Sequence, residues 1–380
     1  MTDFLSLACA GLMGFGLLQS AAGLLALSRF RRLRPVPASG SPPVTVLKPL
    51  HGDEPLLEEA LASVCAQDYP TFQIVFGVQD SADPALAVIS RLRARFPQAD
   101  IDVVVDPTRH GSNGKVSNLI NMLPAARHEV LVIADSDIHA APGYLREVVS
   151  RLLEPDVGLV TTLWAGHTAT QTLAGRLGAA FINRDFLPGA ALGRAFGRQD
   201  CLGATMALTR ATLDRVGGFA ALASHVADDA ILGKLVRAQG LEVALADTIP
   251  ATTVPETTLP DLFAHELRWA RTVRSVEPVG FALTSLQYPL FWAALAVGLS
   301  GGAPWAWTAL CGAWLVRGLI AHGFDRVLRV ASPLTIWCLP LRDLLSMAVL
   351  AASYGSDRVA WRGQEHRVTR LTQARQGIEM

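Results

Sequence analysis

The chain has 380 residues, enough for one large domain and something smaller, and its 33 basic and 33 acidic side chains leave a formal net charge of +0. That balance gives no support to a nucleic-acid partner, which calls for a basic excess, and 51% hydrophobic against 17% charged residues is too apolar for a wholly soluble protein. Five scattered cysteines (Cys9, Cys65, Cys201, Cys311, Cys338) match no disulfide framework and no zinc spacing, as expected of a reduced, cytosol-facing chain.

Residues 4–28 carry no charge and are long enough to cross a hydrocarbon core of ~30 Å. Arg29, Arg31, Arg32 and Arg34 follow directly. Positive charge after the apolar run, rather than before it, predicts an uncleaved anchor with the downstream chain in the cytoplasm. The alternative is a buried helix of a soluble fold. Residues 35–43 read as a Pro/Ser/Gly linker.

From residue 44 the pattern alternates. Strands are expected at 44–48, 72–78, 102–105, 130–134 and 157–163, with helices at 56–66, 84–96, 115–123 and 144–153 between them. Such alternation predicts an α/β domain built on a mostly parallel sheet. Residues 170–195 are helical but irregular. Residues 201–208 read as a short strand and turn, followed by a helix to Gly217-Gly218. Another helix opens at His225-Val-Ala-Asp-Asp-Ala230, a strand covers 242–245, and a helix from Leu259 contains His265-Glu-Leu-Arg-Trp-Ala-Arg271. Residues 280–299 and 303–324 are long enough to span a membrane. A third apolar stretch, 334–354, is interrupted by Arg342-Asp343 and is expected to turn back near Pro340, which keeps the Arg-rich tail in the cytoplasm. The predicted plan is an anchor with its basic flank (1–34), a linker (35–43), an α/β domain (44–278), membrane segments (279–355) and a basic tail (356–380).

The stretch that organises the chain is Val130-Leu-Val-Ile-Ala-Asp135-Ser-Asp137. Its unbroken apolar run reads as a strand buried on both faces. In open α/β sheets ligands bind beyond the carboxyl ends of strands. Two carboxylates one residue apart at that point suit Mg²⁺ or Mn²⁺ shared with a diphosphate. The tripeptide also suits a solvated turn or a helix cap. Asp80 ends another strand and comes to the same sheet edge, although Asp-Ser-Ala-Asp-Pro is equally a turn. Lys115 follows a Gly-Ser-Asn-Gly loop at a helix start, a site for phosphate oxygens but not a P-loop. Asp228-Asp229 reads either as helix capping or as a general base beside an acceptor hydroxyl. Arg268-Trp269 offers a guanidinium for phosphate and a flat face for sugar or lipid. It equally suits an amphipathic helix at a membrane surface.

In order, Leu47-Lys-Pro-Leu50, Val78-Gln-Asp80, Asp135-Ser-Asp137, Ala227-Asp-Asp229 and His265-Glu-Leu-Arg-Trp269 resemble the ceramide-glucosyltransferase-like enzymes, and Trp361-Arg in the tail looks similar as well. These are inverting, membrane-bound glycosyltransferases of the GT-A fold, and the likeness runs from about residue 44 to the tail. Within that family the chain looks closest to bacterial hopanoid-biosynthesis glycosyltransferases. The resemblance implies that Asp80 contacts uridine, Asp135 contacts ribose and diphosphate, and Asp137 holds a divalent metal with Asp135. It makes Asp229 the catalytic base, and gives Arg268 and Trp269 to diphosphate and acceptor. Glu54 and Lys115 become further nucleotide contacts. His265 stands where the family usually has Gln or Arg, so its role stays open. Animal members often lack the second carboxylate, which Asp137 keeps here.

The expected activity is transfer of N-acetylglucosamine or glucose from a UDP-sugar to a lipid hydroxyl, a hopanoid or else ceramide, at the cytoplasmic face of the inner membrane. A processive polysaccharide synthase shares the motifs but needs a translocation channel. A non-enzymatic membrane scaffold has no use for carboxylates at several strand ends.

Overall fold

The computed structural model describes residues 2–32, 40–331, 334–356, 358–361 and 364–367. Arg34, most of the expected linker, Arg362 and the tail beyond residue 367 lie outside the described residues. The chain divides into two compact units, each assembled from separate pieces of sequence: residues 33–169 with 197–255, and residues 1–32 with 170–196 and 256–380.

The first unit is a sheet sandwiched by helices. Its strands in chain order are β1 (Val44–Pro49), β2 (Phe72–Val78), β3 (Asp100–Val105), β4 (Val130–Ala134), β5 (Ile138–His139), β6 (Val157–Thr161), β7 (Ala165–Thr168), β8 (Thr205–Thr209), β9 (Glu242–Leu245) and β10 (Ala251–Val254). Among the described residues, seven form one sheet in the order β3-β2-β1-β4-β8-β6-β9, and β5-β10-β7 form a small second sheet. Only β8 runs against its neighbours in the large sheet, so the sheet is mostly parallel, as the alternating pattern predicts. Every residue of β1 and β4 is buried, which explains their lack of polar alternation. The helices Leu57–Cys65, Ala85–Arg95 and Tyr144–Leu152 present Leu57, Leu61 and Val64, then Val88, Ile89 and Leu92, then Leu145, Val148, Val149 and Leu152 to one core. These are helical spacings of apolar side chains.

Register fixes the level of the loops. Leu47 of β1 pairs with Val75 of β2 and with Ile133 of β4. The turn containing Asp80 and the turn containing Asp135 and Asp137 therefore leave the same edge of the sheet. The small sheet is not expected from the sequence: β5 has only two residues, and β7 (Ala-Gly-His-Thr) and β10 (Ala-Thr-Thr-Val) carry no apolar alternation.

The second unit is helical. Thr2–Phe30 and residues 336–353 are long and apolar enough to cross a membrane. Gly16 on the first of these lets it approach closely, since a Cβ there would stand 2.6 Å from the Leu286 carbonyl oxygen. The expected span 280–299 is not one straight helix. It consists of Pro278–Leu283, a 3₁₀ turn at Thr284–Gln287 and Pro289–Leu299, with a bend of 68°. Pro289, in the first turn of the second piece, supplies no N–H to continue the first. Pro304–Leu328 is a continuous helix of 25 residues. No turn stands at Pro340: it sits in the first turn of the helix Leu339–Ser353, which follows directly on a 3₁₀ turn at Ile336–Cys338. The irregularity of residues 170–195 is a π-helical turn, Ile182–Phe186, between Leu173–Phe181 and Leu187–Ala195.

That π turn buries Arg184 and Asp185 together. Arg184 Nη2 donates to Asp325 Oδ2 at 2.7 Å, and its Nη1 donates to the Leu334 carbonyl at 3.1 Å. Arg317 donates to Asp185 and stands 3.7 Å from Asp343. Asp343 Oδ2 accepts from the Leu290 N–H at 2.9 Å. Arg342 instead donates to Glu266, so the two consecutive residues Arg342 and Asp343 have separate partners.

Candidate active site

The site builds from the carboxyl end of β4. Asp135 leaves the strand with its N–H donating to the carbonyl of Ala204, the residue before β8 begins, at 3.1 Å. Its carbonyl accepts from Lys48 Nζ at 2.6 Å. Its carboxylate Oδ1 lies 2.6 Å from Lys115 Nζ, and the same ammonium is 3.7 Å from Asp228 Oδ2. Burial alone would lower the Lys115 pKa, but Asp135 and Asp228 outweigh it and hold this ammonium well above the usual lysine range. Lys115 therefore stays charged and ties the β4 loop to the start of the helix Asp228–Ala238.

Lys115 is placed by its cap. Asn113 occupies the N-cap of the helix Gly114–Met122, and its Oδ1 accepts from the Val116 N–H at 3.1 Å. The Asn113 amide also donates to the His225 carbonyl at 2.7 Å. One side chain thus starts a helix and holds the loop preceding Asp228.

Asp137 is half-buried, and its Oδ2 accepts from Thr252 Oγ1 of β10 at 2.5 Å. Burial, then the neighbouring Asp135, push its carboxyl up to about 6. Between the two carboxylates, Ser136 donates to Glu54 Oε2 at 2.5 Å, which brings Glu54 to the same loop. Lys48, fully buried at the end of β1, is pushed down to about 8 by burial, against Asp137, Asp135 and Glu54, which favour its charge. His139 donates to or accepts from Thr253 Oγ1 at 2.8 Å, and burial, then His167, bring it down to about 4, so it is neutral near pH 7.

Asp228 and Asp229 do not cap their helix. Ala227 holds the N-cap without a side-chain bond, and both aspartates lie in the first turn. Asp229 Oδ1 accepts from the Ala230 N–H at 2.8 Å. Burial, then Asp228, raise its carboxyl to about 6, with Lys115 opposing. A Cβ on Gly203 would stand 2.9 Å from Asp229 Oδ2 and 3.2 Å from its Cβ, so the absence of a side chain there keeps one flank of this carboxylate open.

The structure thus brings Asp135, Asp137, Glu54, Lys115 and the Asp228/Asp229 pair together. Asp80 lies at the same sheet edge but is exposed, its Oδ1 accepting from the Ala82 N–H at 2.9 Å in a local turn. His265, Arg268 and Trp269 belong to the other unit, on the helix Leu259–Val276. There His265 Nδ1 bonds the Glu256 carboxylate, and its ring meets Trp269 edge to face at 4.6 Å. Lys48, Asn113, Thr252 and Gly203 are site residues missed from sequence. Of these, Asn113 before Gly-Lys at a helix start carried a readable capping signal.

Two carboxylates one residue apart form a partial cation site. Among the described residues, no group of three or more His, Cys, Asp or Glu side chains is arranged to hold a metal. The donor set still fits Mg²⁺ or Mn²⁺, since Mg²⁺ takes one or two carboxylates and completes its shell with water and substrate phosphates.

The sequence profile of glycosyl transferase family 21 matches residues 12–374. A ceramide glucosyltransferase of Komagataella phaffii is 32% identical over 126 residues, 32% of this chain and 25% of that protein. Ceramide glucosyltransferase 1 of Caenorhabditis elegans is 23% identical over 210 residues, 55% of this chain and 45% of that protein. The chain therefore spans between a quarter and just under half of these curated relatives' length. Among solved structures, the mannosyltransferase PcManGT of Pyrobaculum calidifontis, in complex with GDP-Man and Mn²⁺, superposes with a TM-score of 0.55 at 21% identity, covering 93% of this chain and 99% of that one. The likeness is one of fold, and the GT-A arrangement expected from the sequence is the one present.

Proposed function

The chain belongs to glycosyl transferase family 21, and from that membership we propose that it transfers a hexose from a UDP-sugar, with inversion, to the hydroxyl of a membrane lipid. The observation that carries this reading is Lys115, whose ammonium bridges Asp135 on one side and Asp228, beside Asp229, on the other. A single buried cation thus links the carboxylates assigned to the donor with those assigned to the acceptor.

In this reading Asp135 and Asp137 hold a divalent cation, which when bound supplies positive charge to the departing diphosphate. Asp80 and Glu54 contact the nucleotide. Asp229 accepts the proton of the acceptor hydroxyl. Its carboxyl, raised to about 6, is ionised near pH 7 yet remains a better base than an ordinary aspartate. The hydroxyl oxygen forms its bond to the anomeric carbon as the bond to UDP breaks on the opposite side. No covalent intermediate is needed. Arg268 and Trp269 bind diphosphate and acceptor. The active site faces the cytoplasm, where nucleotide sugars are found, and the apolar helices hold it at the bilayer.

The likeness to ceramide glucosyltransferases makes glucose and ceramide the first donor and acceptor to test. A hopanoid with a polyol tail also presents a primary hydroxyl near the interface and is the second acceptor. UDP release from UDP-glucose and UDP-N-acetylglucosamine, measured with ceramide, with a hopanoid polyol and with no lipid, tests the reading. Lipid-stimulated UDP release with a matching glycolipid by mass spectrometry is expected. A polymer made without added lipid would mean a polysaccharide synthase, and no release under any condition would favour a scaffold.

A further inference from the structure

Along the helix Leu259–Val276, Leu262, Phe263, Leu267 and Ala270 form the inward stripe, packed on Leu334, Leu345, Val349 and Leu350. Glu266 lies in the middle of that stripe and is 5% exposed. A carboxylate among apolar side chains needs a dedicated partner. Arg342 supplies it, donating from Nη1 and Nη2 to the two Glu266 oxygens at 2.7 Å each. Arg342 is itself 1% exposed. It also donates to Ser346 Oγ from Nε and Nη2, at 3.2 and 3.0 Å, and to the Leu177 carbonyl at 3.3 Å. Its guanidinium lies 5.3 Å from the centre of the Phe181 ring. Three helices, Leu173–Phe181, Leu259–Val276 and Leu339–Ser353, therefore meet at one ion pair.

The pair decides which way the helix faces. At about 100° per residue, His265, Arg268 and Trp269 fall within an arc of about 100°, centred about 140° round the helix from the stripe that holds Glu266. Apolar packing is non-directional, and Leu262, Phe263, Leu267 and Ala270 would tolerate a small roll or slide. A two-pronged guanidinium–carboxylate bond does not, because any roll leaves a buried charge short of its partner. Fixing register is the best-attested use of a buried polar pair.

We propose that Glu266 and Arg342 form a rotational pin that sets this helix on the Leu339–Ser353 helix and so fixes the direction in which Arg268 and Trp269 project from it. Both are positioning residues for transfer to lipid. The proposal rests on the reading of Arg268 and Trp269 as substrate contacts.

The test uses the full chain in lipid nanodiscs, with kcat, KM for lipid and melting temperature measured on each variant. Glu266→Leu with Arg342→Met exchanges the pair for apolar groups of similar size, a change that buried ion pairs often accept without loss of stability. The expected result is an unchanged or higher melting temperature with kcat/KM for lipid reduced at least about ten-fold, as misplacing a binding group does. Should that variant fail to fold, Arg342→Lys keeps the charge but removes the fork, and reduced transfer at an unaltered melting temperature gives the same support. Glu266→Arg with Arg342→Glu is expected to recover more transfer than Glu266→Ala. Wild-type transfer in the folded apolar or lysine variant overturns the pin. Arg268→Ala separates the two layers: normal transfer there removes the substrate-contact reading and the pin with it, whereas an inactive Arg268→Ala beside a fully active apolar variant removes the pin alone.

Discussion

Replacing Asp229 by Asn is expected to make the protein more stable and nearly inactive at once. The wild-type carboxyl is raised from 3.8 to about 6 by burial and by Asp228, with Lys115 opposing. The gap corresponds to about 3 kcal/mol of folded-state stability lost when the group ionises, or about 1–3 kcal/mol after allowing for its partial exposure. The sign follows from linkage. A folded pKa above the unfolded one means that the native state holds the proton more tightly, so the cost is absent below about pH 4 and complete above about pH 6. Asn is neutral throughout. The variant should therefore melt a few degrees above wild type at pH 7.5, at about 2–4 °C per kcal/mol for a large domain, and the difference should vanish near pH 4. Turnover should fall by about two to four orders of magnitude, the usual scale for a lost general base. Wild-type kcat/KM should drop about ten-fold per pH unit below pH 6. Thermal unfolding at several pH values, with UDP release on the same samples, checks both halves. A variant that melts below wild type at pH 7.5, or a gain that ignores pH, refutes the account of Asp229 as a carboxylate whose ionisation is disfavoured by desolvation and by Asp228. Normal turnover in Asp229→Asn with loss in Asp228→Asn would move the base one residue earlier.

Two further outcomes test the same edge of the sheet. Asp137→Ala should raise the Mg²⁺ or Mn²⁺ concentration for half-maximal activity about ten-fold or more, since it removes one of two hard oxygen donors; full wild-type activity in excess chelator would remove the metal from the mechanism. Gly203→Ala should cut turnover at least about ten-fold while nucleotide binding holds, because the new Cβ would meet both Asp229 Oδ2 at 2.9 Å and Asp229 Cβ at 3.2 Å, so rotating the carboxylate does not relieve it; unchanged turnover would show that the carboxylate has room.

The legible parts of this chain were those with a local signature. Val130–Ala134 announces itself by an unbroken apolar run, and the aspartates that follow must then lie at a strand end. Lys48 was illegible for the opposite reason: a lysine in a strand ordinarily points to water, and only pairing on both sides of β1 reveals that this one is buried. Thr252 is a site residue through β10, whose Ala-Thr-Thr-Val carries no apolar alternation to mark a strand. Arg342-Asp343 read only as an interruption of an apolar stretch, with nothing local to name a partner for either charge. Consecutive helix residues diverge around the axis, and their partners, Glu266 for one and Leu290 with Arg317 for the other, are far away along the chain. The segment at residues 170–196 was legible as irregular helix, but not the π turn that lets Arg184 and Asp185 both be buried.

Those two adjacent charges bear on how the protein can be made. Arg184 waits for Asp325, and Asp185 for Arg317, both more than a hundred residues later in translation. A nascent chain that has emerged only through Asp229 carries an arginine and an aspartate destined for a dry interior with neither counterion yet synthesised. The helical unit therefore cannot close from its N-terminus onward, and it has to remain open, or be shielded by the insertion machinery, until Pro304–Leu328 arrives. The same arithmetic governs dissection of the gene: a fragment stopped after residue 255 keeps the whole large sheet but strands Arg184 and Asp185, so a fragment meant to carry the large sheet alone calls for excising residues 170–196 as well as trimming the two ends.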